Sequence, residues 1–109
     1  KDLYQKPERC WGWVYGVEDG KSMLGRSPNS AIEEFERNKR RGLTTVEGLA
    51  LYRENPDLLK DYYVNFPGSR YGKFDSFVPL LCLGGGRLKL DGCWTYYSDQ
   101  RWGSASAVI

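Results

Sequence analysis

Histidine is absent from the sequence, and of all the gaps in its composition this one excludes the most chemistry. Imidazole is the commonest general base and the usual nitrogen ligand for zinc, so neither a Ser-His nor a Cys-His pair can form. Cysteine is scarce too. Cys10, Cys82 and Cys93 are odd in number and lack metal-ligand spacing, which fits free thiols in a reducing compartment better than a disulfide scaffold. No apolar run approaches the ~20 residues that cross a bilayer, and Lys1-Asp2-Leu3-Tyr4 has none of the apolar stretch of a signal peptide. A soluble, cytoplasmic protein is expected, although a start at Lys1 and not at methionine leaves a leader or an upstream domain open. Charge of one sign is missing as well: 16 Lys and Arg against 14 Asp and Glu leave +2, far from the balance of a dedicated nucleic-acid binder.

What the sequence does have is apolar and aromatic material. With 109 residues, 40% hydrophobic and 15% aromatic, it can offset its ordering entropy and fold as a single globular domain over residues 1–109. Trp11, Trp13, Tyr15 and Val17 alternate with smaller residues, a period of two that predicts a strand. Asp19-Gly20 then offers a tight turn, with a return strand over Lys21–Leu24 and Tyr15 opposite Leu24. Ser27-Pro28 reads as an N-cap with proline at the first helical position, opening a helix to about Arg40 that Gly42 closes. Thr44 and Glu47 fit a capping box for a second helix, which Asn55-Pro56 interrupts; a short third helix would bury Leu58 and Leu59.

Residues 66–75 read as a loop, and a second hairpin follows, with strands over Phe77–Leu83 and Arg87–Tyr96 joined by Gly84-Gly85-Gly86. Centring that turn on Gly85 sets Cys82 against Leu88 and Leu80 against Leu90, with Cys93 on the opposite face as the more reactive thiol. The expected fold is α+β: a mainly antiparallel sheet from two hairpins packed against two or three helices. Its expected core is Trp13, Tyr15, Ile32, Phe35, Val46, Leu49, Leu59, Leu80, Cys82, Leu88, Leu90 and Trp94.

The segments Leu43-Thr44-Thr45-Val46-Glu47-Gly48-Leu49-Ala50-Leu51, Pro67-Gly68-Ser69-Arg70, Leu88 to Trp94 and Trp102-Gly103-Ser104-Ala105-Ser106 occur in an order more specific than any one of them. From about Trp13 to Ala107 the sequence resembles a bacterial family known only as a domain of unknown function. The resemblance implies a compact bacterial domain and no reaction. In that family a cysteine often follows the final Gly-Ser-Ala-Ser; Ala107 stands there in this chain, so no role for a thiol carries over.

Function therefore rests on the residues themselves. Ser69, Ser104, Ser106 or Cys93 would need an unusual base to act as nucleophiles, and as serines in turns they are more simply backbone caps. Gly84-Gly85-Gly86 lacks the lysine and the following helix of a phosphate loop and reads as a hairpin turn. The acidic Glu33, Glu34 and Glu36 show no calcium-loop pattern, so neither a metal nor a cofactor is implied. Arg37–Arg41 with the aromatics Trp11 and Trp13 would suit RNA or single-stranded DNA, but helix-end charge compensation explains the first feature and core packing the second, so nucleic acid is not the favoured partner.

Two loops are hardest to dismiss. Ser69, Arg70 and Tyr71 in one, and Arg101, Trp102, Ser104 and Ser106 in the other, combine guanidinium forks with hydroxyls suited to a carboxylate or phosphate. Because they flank the second hairpin they are expected to form one polar site, unless Arg70 is consumed by Asp75 or Asp99. The expected function is a non-catalytic binding or interaction module for a protein or a small anionic ligand. The alternatives are a histidine-free enzyme acting on a small anionic substrate, or an RNA or single-stranded DNA binder.

Overall fold

The computed structural model describes residues 16–71 and 75–109. Local chemistry sets both helices. Ser27 accepts the Ser30 amide at the start of α1 (Pro28–Arg37), with proline in the first turn. Thr44 accepts the Glu47 amide while Glu47 returns a bond to the Thr44 amide, the complete capping box that opens α2 (Thr45–Glu54). The first helix stops at Arg37, not Arg40, because Lys39 enters the left-handed region at φ 54° and the chain passes into β1 (Arg40–Gly42). Asn55-Pro56 ends α2, and residues 56–60 form turns that bury Leu58 and Leu59 without a third regular helix.

The class is α+β with mainly antiparallel pairing. A four-stranded sheet runs in the order β4 (Arg87–Trp94), β3 (Phe77–Gly84), β2 (Tyr63–Asn65), β5 (Trp102–Ser104), and only β2–β5 is parallel. A separate ribbon pairs β1 with β6 (Ser106–Val108). The main apolar core gathers Leu43, Leu58, Leu59, Val64, Phe66 and Leu81, and a second cluster of Val78, Leu80 and Cys93 sits on the other side of the sheet. Among the described residues no helix is long and apolar enough to cross a membrane.

Several expectations need correction. Lys21–Met23 is a 3-10 turn and not a return strand, and Glu18 instead bridges to Ser106; the outgoing strand's Trp11, Trp13 and Tyr15 lie outside the described residues. The second hairpin forms, but one residue out of the expected register. Gly84 faces Arg87, so Leu81 faces Leu90 and Cys82 faces Lys89. Gly85 and Gly86 both have positive φ, 58° and 79°, which makes the connection a two-residue turn of the type whose twist matches the strands. Cys82 and Cys93 consequently share a face, yet Cys93 pairs with Val78, well removed along the strand from Cys82. Phe35, Leu59, Leu80 and Cys82 are buried as expected, whereas Val46, Leu49, Leu88, Leu90 and Trp94 are exposed.

Candidate functional site

The serines and glycines of the two loops serve the backbone. Ser69 is buried, and its hydroxyl accepts the Thr45 amide at 3.0 Å, a second cap on α2. A Cβ on Gly68 would lie 2.5 Å from the Gly42 carbonyl oxygen, and one on Gly103 would lie 1.9 Å from that of Gly20, so both sites admit only glycine. The motifs meet at Leu43: its amide donates to Ala105 O at 3.0 Å, and its carbonyl accepts the Gly68 amide at 2.8 Å. Three segments remote in sequence are thus tied through one residue's backbone. Ser106 is buried and accepts Arg40 Nε at 3.0 Å. Ser104 stands beside Asn65 in the parallel pair, and the Ser104 hydroxyl and the Asn65 Oδ1 are buried without a hydrogen-bond partner.

The two arginines are not brought together. Arg101 precedes β5 and its carbonyl accepts the Tyr63 amide at 2.8 Å, which sets it at the start of β2. Arg70 lies past the other end of β2. Its Nε donates to Asp75 O at 2.7 Å and its Nη1 to Pro67 O and Ser69 O at 2.8 and 2.9 Å, so the guanidinium clamps its own loop. Arg101 is exposed at the rim of a hollow of about 190 Å³ lined by Leu59, Tyr62 and Leu83, and its amide donates to the Asp99 carboxylate at 2.8 Å. Trp102 is half-buried with its ring 5.2 Å from that of Tyr97.

Tyr71 is different, because it joins residues absent from the expected site. Its ring meets Phe77 edge-on at 5.8 Å, Phe77 lies 4.6 Å from Trp94, and Trp94 stacks on Tyr96 at 5.9 Å with 12° between planes. The strand register dictates this chain. Phe77 pairs with Trp94 on one face of the sheet, and the turn that follows β4 lays the Tyr96 ring on Trp94. The Phe77 ring lies over Gly92, where a Cβ would come within 2.3 Å of it. Tyr71, Trp94 and Tyr96 are 40%, 43% and 69% exposed, and Leu88 and Leu90 extend the exposed apolar row along the same face of β4. The signal was present in the sequence as Leu88, Leu90, Trp94 and Tyr96 at alternate positions; the misplaced register assigned three of them to the core.

Among the described residues no titratable constellation accompanies this face. Burial pushes the Cys93 thiol up to about 11, with Asp99 adding to the effect, which disfavours the nucleophilic thiolate. Among the described residues no group of three or more Cys, Asp and Glu side chains could hold a metal ion.

Fold and surface together define a small α+β domain with an exposed aromatic ledge on one edge of its sheet. The chain belongs to a family of unknown function, DUF5701, whose model matches residues 2–108. No curated protein and no solved structure matches it.

Proposed function

We propose that the chain is a non-catalytic interaction module that binds a protein through the ledge formed by Tyr71, Phe77, Trp94 and Tyr96. The observation that carries this reading is a run of four neighbouring rings, Tyr71, Phe77, Trp94 and Tyr96, of which Tyr71, Trp94 and Tyr96 are exposed. Exposed contiguous aromatic surface is costly to maintain in water, and Trp and Tyr dominate the energetics of protein interfaces because they bury large area with few rotatable bonds. The commitment of Arg70 to its own loop carbonyls favours this face over a pocket for a small anion. Free Cys82 and Cys93 support a reducing, cytoplasmic setting.

A photo-cross-linking residue in place of Tyr96 should give one discrete protein adduct in native cells, and Trp94→Ala should abolish it without moving the unfolding midpoint. The same cross-linker at exposed Arg53 on α2 is the control. Equal labelling from both positions, or none from Tyr96, would remove the ledge as the contact face.

A further inference from the structure

The outermost strand of the four-stranded sheet, β4, pairs on its outer side with no other strand among the described residues, and that edge has a definite pattern. Thr95 donates its amide to Ser76 O at 2.8 Å, and antiparallel ladders alternate, so Cys93, Asp91, Lys89 and Arg87 turn their backbone groups toward β3. Pro79, which has no amide to give, accordingly stands opposite Gly92. The amides and carbonyls of Leu88, Leu90, Gly92 and Trp94 therefore point outward, and the side chains of Leu88, Leu90 and Trp94 are exposed beside them. On the other face Lys89 and Asp91 form an exposed pair at 3.5 Å.

Resting on the interaction-module reading and naming its partner, we propose that β4 pairs antiparallel with β4 of a second copy of this chain, about a two-fold axis through Leu90. The occupant follows from self-complementarity. In this register Leu90 meets Leu90 of the second copy, and Leu88 comes opposite Gly92 of the second copy, beside the Phe77 ring that covers it. On the charged face Lys89 stands opposite Asp91 of the second copy, and symmetry repeats the pair. Trp94 falls opposite Gly86, where no side chain obstructs the ring. A slip of two residues sets Lys89 against Lys89 or Asp91 against Asp91. A slip of one sets outward backbone groups against groups already bonded to β3. In the single copy Asp91 accepts the Gly92 amide at 2.8 Å, which shields the edge. Pairing transfers that amide to the Leu88 carbonyl of the second copy and releases the carboxylate to Lys89.

Sedimentation equilibrium should give twice the 12.5 kDa chain mass. Lys89→Asp sets like charges across the axis twice and should weaken dimerisation about tenfold, whereas Lys89→Asp combined with Asp91→Lys should restore it. Leu90→Arg places two cations on the axis and should give monomers whose unfolding midpoint no longer depends on protein concentration and matches that of the parent diluted to monomer. A monomer at the highest soluble concentration, or a dimer indifferent to Lys89→Asp and Leu90→Arg, overturns the proposal. A monomeric chain that still gives a single heterologous adduct from position 96 sinks the dimer alone. Loss of both sinks the interaction reading too.

Discussion

Arg41 grips Glu47 fork to fork, with Nη1 to Oε1 at 2.7 Å and Nη2 to Oε2 at 2.6 Å, and so ties β1 to the first turn of α2. Glu47 Oε1 also accepts the Thr44 amide at 2.9 Å, so one carboxylate closes the capping box and anchors the strand before it. Burial acts to raise the Glu47 carboxyl. The Arg41 and Thr44 hydrogen bonds and the Arg41 charge outweigh it and hold the group below the usual carboxylate range.

A depressed carboxyl contributes stability that is present above its unfolded pKa of about 4.3 and is lost as pH falls through the folded value. Glu47→Gln should therefore cost about 1–3 kcal/mol near neutral pH, and the gap from the parent should narrow in acid below about pH 4. Unfolding midpoints measured across that range test it. A gap that stays constant would show that the charge of Glu47 contributes nothing.

The thiols should react in the reverse of the order that the expected register implied. Cys93 is 2% exposed and Cys82 8%, and burial raises both thiols, that of Cys93 to about 11. With Cys10→Ser as background, a maleimide at mildly alkaline pH should modify Cys82 first, and Cys93 only as the domain opens. Faster labelling of Cys93 under native conditions would contradict its placement against Val78.

Gly48 offers a case in which a helix-favouring substitution should destabilise. Alanine gains up to ~1 kcal/mol of helix propensity over glycine. A Cβ on Gly48, however, would lie 2.2 Å from the Phe66 ring, which is fully buried in the main core. Overpacking of that kind costs about 1–3 kcal/mol, so Gly48→Ala should lower the unfolding midpoint. Gly84→Ala, whose Cβ finds nothing nearer than Lys89 Cδ at 3.6 Å, is the control.

What could be read in the sequence follows from the range of the forces involved. Ser27-Pro28 and the Thr44–Glu47 box were legible because each is a bond between residues three apart. The hairpin over Phe77–Trp94 was legible as an element but not in register, since three glycines accommodate either turn length and the register decides which leucines face water. The parallel pairing of Tyr63–Asn65 with Trp102–Ser104 joins two three-residue strands far apart in sequence, and no periodicity can declare strands so short. That pairing separates Arg70 from Arg101, which is why the expected single polar site does not assemble.

Arg70 provides the final test, because its two roles make opposite predictions. A guanidinium kept for a partner can be truncated without harm to the fold. Arg70 instead donates to Asp75 O, Pro67 O and Ser69 O, and so fixes the loop whose Ser69 caps α2 and whose Gly68 docks on Leu43. Each such bond contributes about 0.5–1.5 kcal/mol, and truncation leaves carbonyls short of a donor. Arg70→Ala should thus cost about 2 kcal/mol. Arg70→Lys should recover only part of that, since an ammonium on a flexible stem cannot reproduce the planar fork. Arg101→Ala, at an exposed side chain, should leave the midpoint unchanged. If Arg70→Ala proves as neutral as Arg101→Ala, the loop holds its shape without the clamp, and its guanidinium returns to the candidate binding surface beside Tyr71.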